Sequence, residues 1–152
     1  MNATRRTVLI AGALSAITAL SFSSAVFAAS DLVEVQSLNA ANKPITVAVP
    51  KNPQRIAVAD FSVLDTLDHW GLGERIVALP QTTALPYLPQ YFKKSKKVTN
   101  LGTLKEIDLE GLMAAEPDVI FISGRLAKKY DELSKIAPVV FMTADHEKGT
   151  FK

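Results

Sequence analysis

Apolar positions along the chain fall into short continuous runs that alternate with runs spaced like one face of a helix. Residues 31–38 and 45–49 are alternating or apolar, and Asn39-Ala-Ala-Asn42-Lys-Pro44 separates them, which predicts a small hairpin. Pro50-Lys-Asn-Pro53 breaks the pattern, and residues 55–59 read as a strand ending at Asp60. Val63, Leu64, Leu67 and Trp70 follow at helical spacing as an inward face. Ser62 with Asp65 three residues on fits a capping box, and Gly71 with Gly73 ends the helix. Residues 75–79 form the next strand, 80–87 an irregular loop, and 88–92 a single helical turn. Residues 98–104 lead to a helix opened by Asp108, with Leu109, Leu112 and Met113 facing inward and Glu116-Pro117 closing it. The run 118–123 is rich in β-branched and aromatic residues between Pro117 and Gly124, the signature of a central parallel strand. Leu126, Tyr130, Leu133 and Ile136 predict a helix closed by Pro138, and residues 139–142 a last strand. Strands and helices alternating through short connections predict an α/β fold, a mostly parallel sheet flanked by helices.

The first 28 residues stand apart. Arg5 and Arg6 precede a mostly apolar stretch, and Ala25-Val-Phe-Ala28 supplies small residues near a cleavage point. They read as a signal peptide cleaved near Ala28, with residues 29–152 as one domain. Thr4-Arg5-Arg6 is compatible with twin-arginine export, although the general secretory route is the expectation. The chain carries 17 Lys and Arg against 15 Asp and Glu. Arg5 and Arg6 leave with the leader, so the mature chain is formally neutral and nucleic acid is not an expected partner. With no cysteine the protein builds no disulfide and lacks a lipidation site, which predicts a soluble periplasmic protein. The tail Thr143-Ala-Asp-His-Glu-Lys-Gly-Thr-Phe-Lys152 reads as a connection onward, so a fragment of a longer protein is expected.

Catalytic patterns are not found. Ile122-Ser-Gly124 is no nucleophile elbow, and no strand is followed by a glycine-rich phosphate loop. His69 near a helix end and His146 in the tail do not join acidic residues at metal-ligand spacing, so no metal site and no cofactor is expected. The lysines of Lys93-Lys94-Ser95-Lys96-Lys97 read as a solvated face. Anion binding has more support. Arg125 lies where a strand becomes a helix, where the helix dipole favours acids instead, and Lys128 follows three residues on. Lys105 precedes the Asp108 helix, at what should be the same edge of the sheet. Composition alone leaves these three as ordinary exposed cations or as the rim of an oxyanion site.

Asn100-Leu-Gly102 and Ile107-Asp-Leu-Glu110-Gly-Leu-Met-Ala-Ala-Glu-Pro117-Asp118-Val-Ile-Phe-Ile-Ser-Gly-Arg125 together resemble the central signature of periplasmic iron-siderophore-binding proteins, the substrate-binding components of ABC importers. Pro53-Gln-Arg-Ile-Ala-Val-Ala-Asp60 and Leu64-Asp-Thr-Leu-Asp68 with Gly71-Leu-Gly73 match that family's first strand and helix. The Ser-Gly-Arg125 ending with Lys128-Lys-Tyr130 is similar to the subgroup that binds catecholate complexes of the enterobactin type. The resemblance implies the N-terminal lobe of a bilobal, helix-linked periplasmic binding protein whose second lobe lies outside these residues. It further implies a monomer without enzymatic activity that captures a ferric siderophore and passes it to an ABC permease of the inner membrane. Arg125 would be the ligand-binding arginine of this lobe, with Lys105 and Lys128 as rim contacts and Glu110 as the acid that docks on the permease. Haem or cobalamin is the rival ligand within transport, and an exported α/β enzyme fragment is the rival from another class.

Overall fold

The computed structural model describes residues 31–92, 98–142, 144–145 and 150–151. The leader, the lysine cluster 93–97 and His146 lie outside the described residues. The predicted hairpin forms from β1 (Leu32–Leu38) and β2 (Pro44–Pro50), paired antiparallel from Leu32 opposite Pro50 to Leu38 opposite Pro44. Asn39 shapes its turn, its side-chain oxygen accepting from the N–H groups of Ala41 and Lys43. The body is a five-stranded sheet of β3 (Ile56–Val58), β4 (Ile76–Leu79), β5 (Thr99–Asn100), β6 (Val119–Ile122) and β7 (Val139–Phe141). Its order is β5-β4-β3-β6-β7 and each pairing is parallel, as the alternation of elements predicts. The hairpin covers the β7 edge, where the N–H of Phe141 donates to the Ser37 hydroxyl at 2.9 Å. A short antiparallel pair, β8 (Ala144–Asp145) with β9 (Thr150–Phe151), stands where the sequence suggested a plain connection.

Helix α1 (Phe61–His69) covers one face of the sheet, and α2 (Leu109–Ala114) with α3 (Tyr130–Leu133) covers the other. Right-handed crossovers require this. The step from β3 to β4 runs one way along the sheet, whereas β5 to β6 and β6 to β7 run the opposite way, so their helices lie on opposite faces. Alternation along β6 and β7 then splits their side chains. Ile120, Ile122, Val139 and Phe141 join the core beneath α2 and α3, while Val119, Phe121, Val140 and Met142 face the side of α1.

Two expected inward residues point to solvent. Trp70 caps the end of α1 and is 67% exposed, and Met113 in α2 is 53% exposed. Trp70 lies past the last helical turn, and α2 is so short that Leu112 alone fills its core position. The expected helix after β6 is divided. A 3-10 helix covers Gly124–Lys129 and regular α-helix begins only at Tyr130.

The amino edge of the sheet is locked by Asp118. Its carboxylate accepts from the N–H groups of Gln54 at 2.7 Å and Arg55 at 2.9 Å. The Arg55 guanidinium in turn donates to the carbonyls of Ala115 and Glu116, just past the end of α2. Pro117-Asp118 therefore joins three elements before β6 begins, which gives that part of the motif a structural reason.

Candidate anion-binding edge

In open α/β sheets a ligand seats beyond the carboxyl ends of the strands, where successive crossovers diverge. Here the chain goes from β3 outward to β4 and β5, then returns to β6 and β7 on the other side of β3. The switch point therefore lies between the tips of β3 and β6. The tips are tied together, with the Ala59 N–H donating to the Phe121 carbonyl at 2.8 Å. Asp60 follows directly and serves α1 as its N-cap, accepting from the N–H groups of Ser62 at 2.9 Å and Val63 at 3.3 Å and from the Ser62 hydroxyl. The cap is Asp60 and not Ser62, which the sequence pattern favoured. An acid two residues earlier reaches the orphan N–H groups of the first turn, and its charge suits the helix dipole.

Across the crevice, Ser123-Gly124-Arg125 opens the 3-10 helix. Leu126 is 1% exposed and anchors it, its N–H bonded to the Ser123 carbonyl at 3.0 Å. A 3-10 helix repeats every three residues, so side chains at i and i+3 eclipse one another. Arg125 and Lys128 therefore share one exposed face, about 6 Å apart along the axis. Lys129 is turned away from them and is paired with Glu132 at 3.0 Å. Neither the Arg125 guanidinium nor the Lys128 ammonium makes a hydrogen bond or ion pair with the described residues. The hydroxyl of Ser123 is buried and unpartnered among the described residues, although a serine in this place commonly caps the helix.

Lys105 occupies the same edge at a distance. The Asn100 side-chain oxygen accepts from the N–H groups of Gln81 and Gly102, and the Thr103 hydroxyl accepts from those of Lys105 and Glu106. Gly102 has φ 81, and an added Cβ would meet the Glu106 carbonyl at 3.1 Å, so this tight loop needs its glycine. The loop exposes Lys105 at its tip. However, β5 and β6 are three strand spacings apart, about 14 Å, so the fold pairs Arg125 with Lys128 and leaves Lys105 on the far flank. Glu110 is exposed in the first turn of α2, which Asp108 caps through the N–H groups of Glu110 and Gly111.

The loop between β4 and β5 contributes a residue that the sequence reading passed over. Tyr87 is 64% exposed, in a stretch whose prolines read only as irregularity. Its signal was an aromatic side chain displayed by a turn instead of packed in the core. Two hollows lie elsewhere. One of about 600 Å³ opens at the amino edge, beside Arg55, Met113 and Pro138. The other, about 310 Å³, runs between α1 and the β6–β7 part of the sheet. Neither is lined by Arg125, Lys105 or Lys128. Among the described residues no group of three His, Cys, Asp or Glu could hold a metal ion.

The family model described as periplasmic binding protein matches residues 56–152, from the first strand of the sheet onward. The chain belongs to that family. It is 41% identical over 100 residues to the petrobactin-binding protein YclQ of Bacillus subtilis, a match covering 66% of this chain and 31% of YclQ. It is 32% identical over 103 residues to the Fe(3+) dicitrate-binding periplasmic protein FecB of Escherichia coli, covering 67% of this chain and 34% of FecB. The crystal structure of YclQ superposes with a TM-score of 0.68 at 35% identity, over 77% of this chain and 40% of that one. That of the catecholate-siderophore-binding protein VctP of Vibrio cholerae gives 0.62 at 31% identity, over 76% and 39%. The chain thus spans about a third of the length of the curated relatives it matches. These relatives are binding proteins and not enzymes.

Proposed function

We propose that this chain is the N-terminal lobe of an exported substrate-binding component of an ABC transporter. Its ligand is a ferric siderophore of the catecholate type, which it hands as a monomer to a permease of the inner membrane. The leader 1–28 would be removed near Ala28 in the periplasm. The observation that carries this reading is Arg125, an exposed guanidinium without a partner among the described residues, beside the switch point and aligned with Lys128. A ferric tris-catecholate is a trianion with aromatic rings. A guanidinium neutralises its charge, donates to its oxygens and stacks on its rings. Lys128 adds a second charge on the same face, Lys105 contributes from the far flank, and the iron is held by the siderophore. Glu110 projects from the same edge and would meet basic residues of the permease.

The test follows the fluorescence of Trp70, the single tryptophan of the chain, during titration with a ferric catecholate. It uses both the mature chain and the complete product of the gene that encodes it. Saturable quenching is expected, weakened at least ten-fold by Arg125→Ala, while Glu110→Arg leaves binding intact and lowers iron uptake in cells. If the complete gene product shows no quenching, the siderophore reading is wrong.

A further inference from the structure

Helix α2 keeps one large apolar side chain out of the core. It buries Leu112, yet Met113 beside it has 53% of its surface in solvent. Glu110 is exposed three residues earlier, so the two side chains are neighbours on the outer surface of the helix. Just past the helix end Glu116 is also exposed, and it breaks two local rules. Its φ is 44, in the left-handed region that a helix end normally gives to glycine. It also sets a carboxylate at the carboxyl end of a helix, where the dipole favours cations. Nothing among the described residues answers that carboxylate, since Arg55 directs its guanidinium to the carbonyls of Ala115 and Glu116 instead. Met113 and Glu116 both line the amino-edge hollow of about 600 Å³, whose walls are mostly apolar and include Leu32, Pro117, Ile136 and Pro138. The outer surface of α2 thus presents an acid, a methionine and a second acid in succession, and ends at a hollow able to take an apolar side chain.

We infer that this surface, from Glu110 through Met113 to Glu116 and the hollow, docks a basic loop of the permease that carries an apolar side chain. The inference rests on the reading of Glu110 as the acid that meets the permease, and it extends that contact along α2. An exposed carboxylate alone steers a cationic partner but holds it weakly, because water and salt screen the pair. Affinity comes from an apolar anchor that is desolvated inside a ring of polar contacts. Met113 supplies that anchor, being flexible enough to fit an incoming side chain and of a type enriched at interfaces. Charge sets the orientation of the loop. Its cations lie over Glu110 and Glu116, while Lys135, a free cation at the hollow, repels a further one and leaves that side to the apolar group.

The experiment adds the complete gene product, loaded with radiolabelled ferric 2,3-dihydroxybenzoate, to spheroplasts of the source strain lacking the gene, and follows iron uptake against protein concentration. Met113→Ala and Glu116→Gly should each raise the half-saturating concentration by at least about two-fold, with the affinity for the iron complex unchanged in Trp70 fluorescence. Met113→Leu keeps an apolar side chain of similar volume and should stay within about two-fold of the wild type. Glu116→Gly relieves the left-handed backbone, so it should unfold at no lower a temperature than the wild type even as it docks more weakly. A purely structural role for Glu116 would not separate those two readouts. The proposal is overturned if either Met113→Ala or Glu116→Gly docks like the wild type while Glu110→Arg still impairs uptake, or if Met113→Leu docks as poorly as Met113→Ala. If Glu110→Arg has no effect either, the permease reading of Glu110 itself fails, so the two failures are told apart.

Discussion

Tyr91 shows how closely single residues set the packing between the end of α1 and the connection after β4. Its side chain is 1% exposed, and its hydroxyl donates to the Asp68 carboxylate at 2.6 Å while the Gln90 amide donates to the same oxygen. The ring lies against Gly73 so closely that a Cβ there would overlap the hydroxyl, and this close approach is what the second glycine of Gly71-Leu-Gly73 permits. Burial, then the bond to Asp68, pushes the phenol well above the usual tyrosine range. The folded protein therefore keeps a proton that the unfolded chain gives up near pH 10. Folding then binds a proton, so this stabilisation is complete below about pH 10 and is lost as pH rises toward the folded value. Urea unfolding should show wild-type stability falling above pH 10 with a Tyr91 contribution of at most about 1.4 kcal/mol per pH unit. Tyr91→Phe should lack that component, and identical slopes in the two proteins would refute the coupling. Residue-level detail of this kind was poorly legible in the sequence. Helical spacing placed Trp70 and Met113 inward, yet Trp70 lies past the end of α1 and Met113 faces solvent from within the short α2. The cap of α1 was missed by two residues because Asp60 and Ser62 are both good caps, and only the backbone turn decides between them.

At the scale of elements the sequence was most informative, because period and length fix strand and helix together. All four expected sheet strands from β3 through β7 that carry long apolar runs appear, while β5 shrinks to Thr99–Asn100. The 3-10 form of the Gly124–Lys129 segment was not legible, since Leu126, Tyr130 and Leu133 fit an α-helix equally well. That difference matters for the site. In an α-helix Arg125 and Lys128 would diverge by about 60° around the axis, whereas the three-residue repeat superposes them. The fold therefore separates two adjacent lysines by role. Lys128→Ala should weaken binding of a ferric catecholate by about two- to five-fold, an effect that shrinks as salt is raised. Lys129→Ala removes only an exposed pair with Glu132, so it should leave affinity unchanged and cost at most about 0.5 kcal/mol of stability. Equal losses of affinity in the two variants would mean that the segment binds through diffuse charge and not through one face.

For the molecule as a whole, the two faces of the sheet are unequally covered. Beneath α2 and α3, Ile120, Ile122, Val139 and Phe141 are all 1% exposed or less. On the other face α1 covers β3 and β4, and Phe121, Val140 and Met142 remain only partly buried among the described residues. Handedness explains the asymmetry, because no crossover on that side passes over β6 and β7. A central parallel strand is normally buried on both faces, so β6 is half covered. The result is the apolar groove of about 310 Å³ along Val63, Leu67 and Trp70, facing Phe121 and Met142. The sequence announced the apolar run of β6 but not this exposure, since a continuous run looks the same whether one face or two are covered. A folded chain with such a groove should take up 1-anilino-8-naphthalenesulfonate with a blue shift, while its circular dichroism stays native and its unfolding cooperative. Thr66→Glu places a charge at the groove wall from an exposed position of α1, so it should abolish dye uptake and change stability by less than about 0.5 kcal/mol. Uptake that survives this substitution would place the accessible apolar surface elsewhere, for example at the amino-edge hollow beside Met113. No uptake by the wild type would refute an accessible apolar groove at β6.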